Sequence, residues 1–398
     1  MMAEFDWALE TLMVHAGNDV VKTEPYHATA PVIYPSTSYQ LPSPELLDQV
    51  MAGSTQGFSY GRHGNPSVEA FVQAMIQLEH AETGVACASG MSAIDMALYA
   101  VGLQPGDSLL LSQDLYGASL NLASTIWQQY GVRPMVADLA NLPGVKNILE
   151  RFHPRAMILE VISNPLLKVL DVKALVSLAH DYHCQVIIDN TFTTPLMAQP
   201  LTWGADLVVH SATKYLGGHG DAMGGVVLGS SRYDDRLHQY LKLRGATLGP
   251  FEAWLLHRGL KTLAVRFQRQ CANALKIAEV LSTTGIFNHL YYPLLVDHPS
   301  CLLARQYFGA MGGAVVTMEI PGGRSAVYQF IKHLKLVGSA TTVGDVYTLC
   351  LYPAIASHRN QTPEERLAMG ITDGTVRIAV GLEYPEDVIG DILQAMEA

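Results

Sequence analysis

The sequence predicts an α/β protein, with a large domain on a mostly parallel seven-stranded sheet and a smaller C-terminal α+β domain. Three observations carry this. Nearly half of the 398 residues are hydrophobic and only 15% are charged, which is enough apolar material for a large buried core. From about residue 67, short continuous apolar runs alternate with stretches whose apolar residues recur every three or four positions, the pattern of strands buried on both faces and joined by covering helices. After about residue 250 that alternation stops, and one long helical pattern precedes scattered strands.

The elements follow in order. Residues 23–66 are rich in Pro, Ser, Thr and Gly, with one short helical candidate near Glu45 to Met51. So long an irregular stretch is unusual in a compact domain unless it binds something, so residues 1–62 are expected to form an arm reaching a neighbouring subunit. The large domain is expected over 63–255. Its strands are GVACAS, DSLLLS, GVRPMVAD, AMILEVI, CQVIID, ADLVVH and GGVVLG, and its helices include VEAFVQAMIQLEH, GMSAIDMALYAVG, GASLNLASTIWQQYG and VKALVSLAHDYH. The second domain is expected over 256–398. A helical stretch over 251–285 leads into it, followed by the strands GGAVVTMEI, LKLVGS and TVRIAVG and a closing helix PEDVIGDILQAME.

Composition removes several function classes. A net charge of -11 without any lysine and arginine cluster argues against nucleic acid and anionic membrane as partners. The acidic start MMAEFDWALE does not read as a secretory signal, and no apolar run reaches membrane-span length, so a cytoplasmic protein is expected. Five scattered cysteines, never in a C-x-x-C pair, read as reduced thiols and predict neither disulfides nor a metal site.

In open α/β sheets ligands bind beyond the carboxyl ends of the strands. The residues there are Ser89-Gly90-Met91, Tyr116, Asn164, Asp189 and Ser211 to Lys214. In ASGMSA, a glycine between strand and helix leaves first-turn amides free to hold an anion, although many such glycines serve geometry alone. Asp189, ending CQVIID, is either a carboxylate awaiting a cationic partner or a cap on its neighbours Asn190 and Thr191. Lys214 stands among small residues with no evident carboxylate nearby except Asp221, and is either a solvated loop lysine or an amine able to attack a carbonyl carbon.

The combination decides between these readings. An anion cradle is followed about 100 residues later by a strand-end acid and 25 residues beyond that by a lysine, all on one sheet edge. Pyridoxal 5'-phosphate needs all three: an anion site for its phosphate, a carboxylate beside its pyridine nitrogen, and a lysine to form an imine.

The blocks YGRHGNPS (60–67), ASGMSA (88–93), DLYGAS (114–119), SNP (163–165), IIDNTF (187–192), HSATKYLGGHGD (210–221) and VRIAVGLE (376–383) resemble the Cys/Met-metabolism group of pyridoxal-phosphate enzymes over nearly the whole chain. The resemblance implies the type I, aspartate aminotransferase-like fold of PLP-dependent transferases. It implies Lys214 as the imine-forming lysine and proton carrier, Asp189 as partner of the pyridinium nitrogen, and Gly90, Met91, Ser211 and Thr213 around the phosphate, with Thr191 in the same cofactor shell. Tyr60 and Arg62 would reach the phosphate from a neighbouring subunit, Tyr116 would stack on the ring and act as acid or base, and Asn164 would contact the ring hydroxyl. Arg377 would clamp the substrate carboxylate and Thr342 would line the substrate site. A homotetramer with shared sites is implied.

The pattern also departs from relatives that handle cystathionine. Ser59 stands where an acidic residue is common before the arm tyrosine, Tyr347 where a glutamate is common, and Thr342 where a serine is common. These changes make the pocket less acidic, and the blocks HGDAMGGVV, VGDVYTL and TPEERLAMGITDGTVRIAVGLE look most like methionine γ-lyase. Against that likeness, Ala118 replaces the cysteine two residues after the stacking tyrosine, and Val161-Ile162 alters the lead-in to SNP. The expected reaction is γ-elimination on a methionine- or homocysteine-like amino acid. The alternatives are γ-replacement, which joins a nucleophile to an activated homoserine derivative, and a non-catalytic relative, which the presence of Lys214, Asp189, Tyr116 and Arg377 opposes.

Overall fold

The computed structural model describes residues 7–18 and 28–397. The parts of the expected arm at 1–6 and 19–27 lie outside the described residues.

Seven strands form the larger sheet: β1 (Thr83–Cys87), β2 (Ser108–Ser112), β3 (Arg133–Ala137), β4 (Ala156–Glu160), β5 (Gln185–Asp189), β6 (Leu207–Ser211) and β7 (Gly225–Gly229). Their order is β1-β7-β6-β5-β4-β2-β3, and β7 alone runs against the rest. The central strands read as unbroken apolar runs because both faces are covered. Along β4, β5 and β6, Met157, Leu159, Val186, Ile188 and Val208 enter one core. Their alternates Ile158, Ile187, Leu207 and Val209 enter the core on the other face. Each fully buried side chain of this kind contributes about 1.5–3 kcal/mol.

Local chemistry sets the covering helices. Helix Pro66–Glu79 starts with Pro66 in its first turn, and the Asn65 side chain accepts from the amides of Ser67 and Val68. Helix Gly90–Ala100 follows β1, and the Ser89 side chain accepts from the Ser92 amide. The short helix expected near Glu45 spans Pro44–Met51.

The second sheet has β8 (His289–Tyr291), β9 (Val315–Glu319), β10 (Gly338–Ser339), β11 (Leu349–Leu351) and β12 (Thr375–Ala379), in the order β10-β11-β12-β9-β8. Two expectations need correcting. The helical stretch over 251–285 is two helices, Pro250–Leu260 and Leu263–Ser282. The chain turns between them because the Gly259 carbonyl is taken by the Thr262 amide and by Arg266 Nη2 at 2.7 Å. A Cβ on Gly259 would also sit 2.4 Å from the Leu216 carbonyl, so only glycine lets the two segments pass. In LKLVGS, only Gly338–Ser339 pairs as a strand. The amides of Lys335, Leu336 and Val337 donate to the Asp391 carboxylate, each at 2.9 Å, and so are withdrawn from any ladder.

No helix among the described residues is long and apolar enough to cross a membrane. All five cysteines are unpaired and buried. Burial pushes the thiols of Cys87, Cys184, Cys271 and Cys350 up to about 12, which suits packing rather than reactivity.

Candidate active site

The carboxyl ends of β4, β5 and β6 and the loops beyond them open into a cavity of about 450 Å³, closed on its far side by residues 341–343, 356–357 and β12. Gly90, Met91, Tyr116, Asn164, Asp189, Thr191, Ser211, Thr213, Lys214, Thr342 and Arg377 all line it. Sequence positions spread over nearly 290 residues thus share one space.

At the phosphate-sized end, the Gly90 and Met91 amides stand in the first turn of helix Gly90–Ala100, where no helical carbonyl precedes them, and the helix dipole adds positive potential. A Cβ on Gly90 would lie 2.6 Å from Ser211 Cβ, so glycine is what brings this turn against β6. Two hydroxyls of the expected cofactor shell, Thr213 at the phosphate and Thr191, are already engaged within the protein. Thr213 Oγ1 exchanges hydrogen bonds with the Gly224 backbone at 3.1 and 3.2 Å. Thr191 Oγ1 donates to Asp189 Oδ1 at 2.5 Å and accepts from the Ser211 amide at 2.8 Å, so it holds the aspartate.

Asp189 ends β5 with both of its protein hydrogen bonds on one oxygen: the Thr191 amide also donates to Oδ1, at 3.0 Å. Oδ2 has no partner among the described residues. Burial pushes this carboxyl above the ordinary aspartate range, partly offset by the Thr191 bonds and the charge of His210. A cation placed at Oδ2 would reverse that shift.

Lys214 follows β6 in a turn where its amide donates to the Ser211 carbonyl at 3.1 Å, and its Nζ donates to Thr342 Oγ1 at 3.0 Å. Burial, then the nearby Arg377 charge, lowers its pKa, enriching the neutral amine that can attack a carbonyl. Asp221 does not contact it.

Arg377 comes from β12 in the middle of the second sheet and is 4% exposed. Its Nη1 donates to Asn164 Oδ1 at 3.1 Å and its Nη2 to the Thr342 carbonyl at 3.0 Å, while Nε is buried without a partner. Burial lowers its pKa to about 10, and no carboxylate among the described residues pairs with it. A buried guanidinium bonded only to neutral oxygens is a ready site for an anion.

Tyr116, 42% exposed, presents its ring to the cavity, and its amide donates to Glu160 Oε1 at 2.9 Å. Glu160 is a site residue that motif reading passes over. It pairs with Asp189 across β4 and β5, is 8% exposed, and leaves Oε2 unpartnered. Burial, then the Asp189 charge, pushes its pKa well above the usual range. The available signal was a glutamate inside the apolar run AMILEVI. Ala356 and Ser357 lie in a loop without any periodic signal, and only the fold brings them to the cavity.

Tyr60 and Arg62 lie outside this cavity. Arg62 Nη1 donates to the Lys242 carbonyl at 2.6 Å, its guanidinium stands 5.5 Å from the Tyr60 ring centroid, and Tyr60 is 44% exposed.

The donor set fits pyridoxal phosphate: two free amides and Ser211 for a phosphate, an acid with an open oxygen for a ring nitrogen, and an amine with a lowered pKa for an aldehyde. The comparisons with known proteins agree. L-methionine gamma-lyase of Fusobacterium nucleatum subsp. polymorphum is 38% identical over 395 residues, covering 98% of each chain. O-succinylhomoserine sulfhydrylase of Pseudomonas aeruginosa is 36% identical, covering 98% of this chain and 96% of its own. The crystal structure of cystathionine gamma synthase from Xanthomonas oryzae pv. oryzae in complex with aminoacrylate and cysteine superposes with a TM-score of 0.92 at 34% identity, over 99% of this chain and 98% of that one. With the Cys/Met metabolism PLP-dependent enzyme family model matching residues 10–397, the chain belongs to that family and is a PLP-dependent enzyme.

Proposed function

We propose that the enzyme catalyses γ-elimination on an L-amino acid with sulfur at its γ position, of the methionine or homocysteine class, releasing a 2-oxo acid, ammonia and a thiol. The observation that supports this most is the distribution of charge in the cavity. Among the described residues Asp189 and Glu160 are its only carboxylates, and both sit at the strand-end floor. The remaining wall includes Ile94, Ile162, Phe192, Met223, Val343 and Leu351. It accepts an apolar thioether and offers no counter-ion to a second ammonium group.

When bound, pyridoxal phosphate supplies the electron sink for removal of protons next to the amino-bearing carbon. The residues of this chain then divide the work. Arg377 takes the substrate carboxylate through two parallel hydrogen bonds, for which Nε and one Nη are suited. Lys214 Nζ, within reach of Thr342, removes the α-proton and carries protons between neighbouring carbons. The Tyr116 phenol donates a proton to the departing sulfur. Asp189 Oδ2 would pair with the ring nitrogen, and the Gly90 and Met91 amides with Ser211 would hold the phosphate. Asn164, whose Oδ1 accepts from Arg377, is left with its amide group for the ring hydroxyl. Tyr60 and Arg62 serve the site of a neighbouring subunit, in an assembly of at least two chains and, by family likeness, four.

Incubating the cofactor-loaded enzyme with L-methionine and with L-homocysteine tests this reading. The expected products are 2-oxobutanoate and ammonia, with methanethiol from L-methionine and hydrogen sulfide from L-homocysteine. Failure to form both the oxo acid and the sulfur product from either substrate overturns it. A second reading, γ-replacement, is favoured by the near-equal similarity to the sulfhydrylase relative. It requires a product that keeps its amino group and forms only when a nucleophile is supplied.

A further inference from the structure

At the opposite end of the same sheet, where β4, β5 and β6 begin, a second cleft of about 550 Å³ is lined by Arg155, Arg232, Arg236, His180, His183 and, as its single carboxylate among the described residues, Asp206. It is separated from the strand ends that carry Asp189 and Ser211 by the length of a five-residue strand, roughly 16 Å. Three guanidiniums around one carboxylate form a local positive field on a chain whose net charge is -11. Screening lengths of roughly 8 Å at physiological salt keep that field from being cancelled by distant acids.

Asp206 is committed to other partners. His180 Nε2 lies 2.9 Å from its Oδ2, the Val186 amide donates to the same oxygen at 2.7 Å, and Arg232 Nη2 and the Tyr233 hydroxyl bond its Oδ1. It therefore balances Arg232 and leaves the other two guanidiniums without a carboxylate among the described residues. Those two are held in place by the carbonyls at the C-terminal end of helix Gly90–Ala100. Arg155 Nε donates to the Val101 carbonyl at 3.2 Å, and Arg236 Nη2 donates to the Tyr99 carbonyl at 3.0 Å while its guanidinium stands 5.3 Å from the Tyr99 ring centroid. Both approach one point, the place a Cβ on Gly102 would occupy, 3.2 Å from Arg236 Nη1 and 3.5 Å from Arg155 Nη2. Arg236 Nε is buried with no acceptor.

We propose that this cleft binds a small dianionic oxyanion, inorganic phosphate or a phosphate monoester, held between Arg155 and Arg236. Paired guanidinium forks match tetrahedral oxyanions, and positioning by backbone carbonyls lowers the cost of ordering them. The cleft volume falls within the usual range for small-molecule sites, about 300–1,000 Å³. Its place at the amino ends of the strands separates it from the cradle at Gly90 and Met91.

The test uses the cofactor-saturated enzyme, so that the Gly90 cradle is filled, with thermal melting followed at constant ionic strength in sodium chloride. Inorganic phosphate and glycerol 3-phosphate are titrated separately. A saturable rise in Tm is expected, and the probe that saturates at the lower concentration distinguishes free phosphate from a monoester. Arg155 is exposed, so Arg155→Gln should fold. It should raise the half-saturating concentration about ten-fold or more, the loss expected for a charge-assisted contact, with the visible band of the cofactor unchanged. A Tm that follows ionic strength alone, or an R155Q variant that titrates like the wild type, overturns the proposal. Should R155Q fail to fold, the wild type decides by 31P line width. Broadening of the inorganic phosphate signal that sulfate reverses and chloride does not supports the site, and an unbroadened signal overturns it.

Discussion

Asp189 and Asp391 are both aspartates in largely buried surroundings, one at the end of β5 and one in the closing helix Pro385–Glu397, yet their acidities shift in opposite directions. Asp391 receives three backbone amides at 2.9 Å and a Gln394 side chain, and these outweigh its burial and lower its pKa. Asp189 receives two donors, both on Oδ1, and burial prevails. What separates the two is how many donors the fold supplies to the ion. The fully satisfied carboxylate ties two segments of the second domain together. The unsatisfied one faces a cavity with one oxygen left open among the described residues.

This contrast can be broken or sharpened by substitution. The largest effect is expected from Lys214→Ala, which removes both the amine and the proton carrier and should lower kcat/KM by more than about 10⁴-fold, with urea unfolding of the cofactor-free chain little changed. Activity within about ten-fold of wild type would remove Lys214 from the chemistry.

Asp189→Asn should lower kcat/KM by about 10²–10³-fold, the cost of losing a charge placed against the reacting group. The cofactor-free chain, however, should be no less stable at pH 7. A carboxyl whose folded pKa lies above its unfolded value weakens the fold as pH rises past the unfolded value, and asparagine removes that penalty while its oxygen still accepts from Thr191. Melting of the cofactor-free variant at pH 7 against wild type checks the sign.

Asp391→Asn should do the reverse. Activity should be kept, and urea unfolding at pH 7 should show a loss of about 2–3 kcal/mol from weakened charge-assisted bonds. Here the folded pKa lies below the unfolded one, so the contribution is present above the unfolded value of roughly 3.9 and is lost as pH falls through the folded pKa. The gap between variant and wild type should therefore close in acid. A gap that stays constant as the pH falls would show that the charge is not what binds the three amides.

The smallest effect is expected from Glu160→Gln. Glu160 lies beside Asp189, and burial with the Asp189 charge raises its pKa well above the usual range, which favours the neutral acid that glutamine imitates. The change in kcat/KM should be less than about three-fold, worth under roughly 0.7 kcal/mol. A loss of two orders of magnitude would show that Glu160 carries charge or transfers a proton.

Both domains' main strands were legible because periodicity is a local property. Continuous runs such as CQVIID can only be covered on both faces, and GMSAIDMALYAVG can only present its apolar residues as a helix. The strand-end rule also put Gly90, Asp189 and Lys214 on one edge. What local pattern cannot carry is how segments distant in sequence answer one another. LKLVGS has the composition of a strand, but Asp391, more than fifty residues later, takes its amides first. The stretch 251–285 has the period of one helix, but Gly259 must pass the backbone at Leu216.

The sequence by itself therefore determined the layer architecture, the family motifs and the candidate groups at the strand ends, since these reside in residue types and short spacings. The tertiary structure alone decided that Arg377, from the second sheet, reaches Asn164 and Thr342 without any carboxylate among the described residues. It alone left Asp189 with one open oxygen and set Glu160 against it. Hydrogen-bond supply and burial are sums over neighbours from the whole chain, and those sums fix whether a buried ion is neutralised, satisfied or left waiting for a ligand.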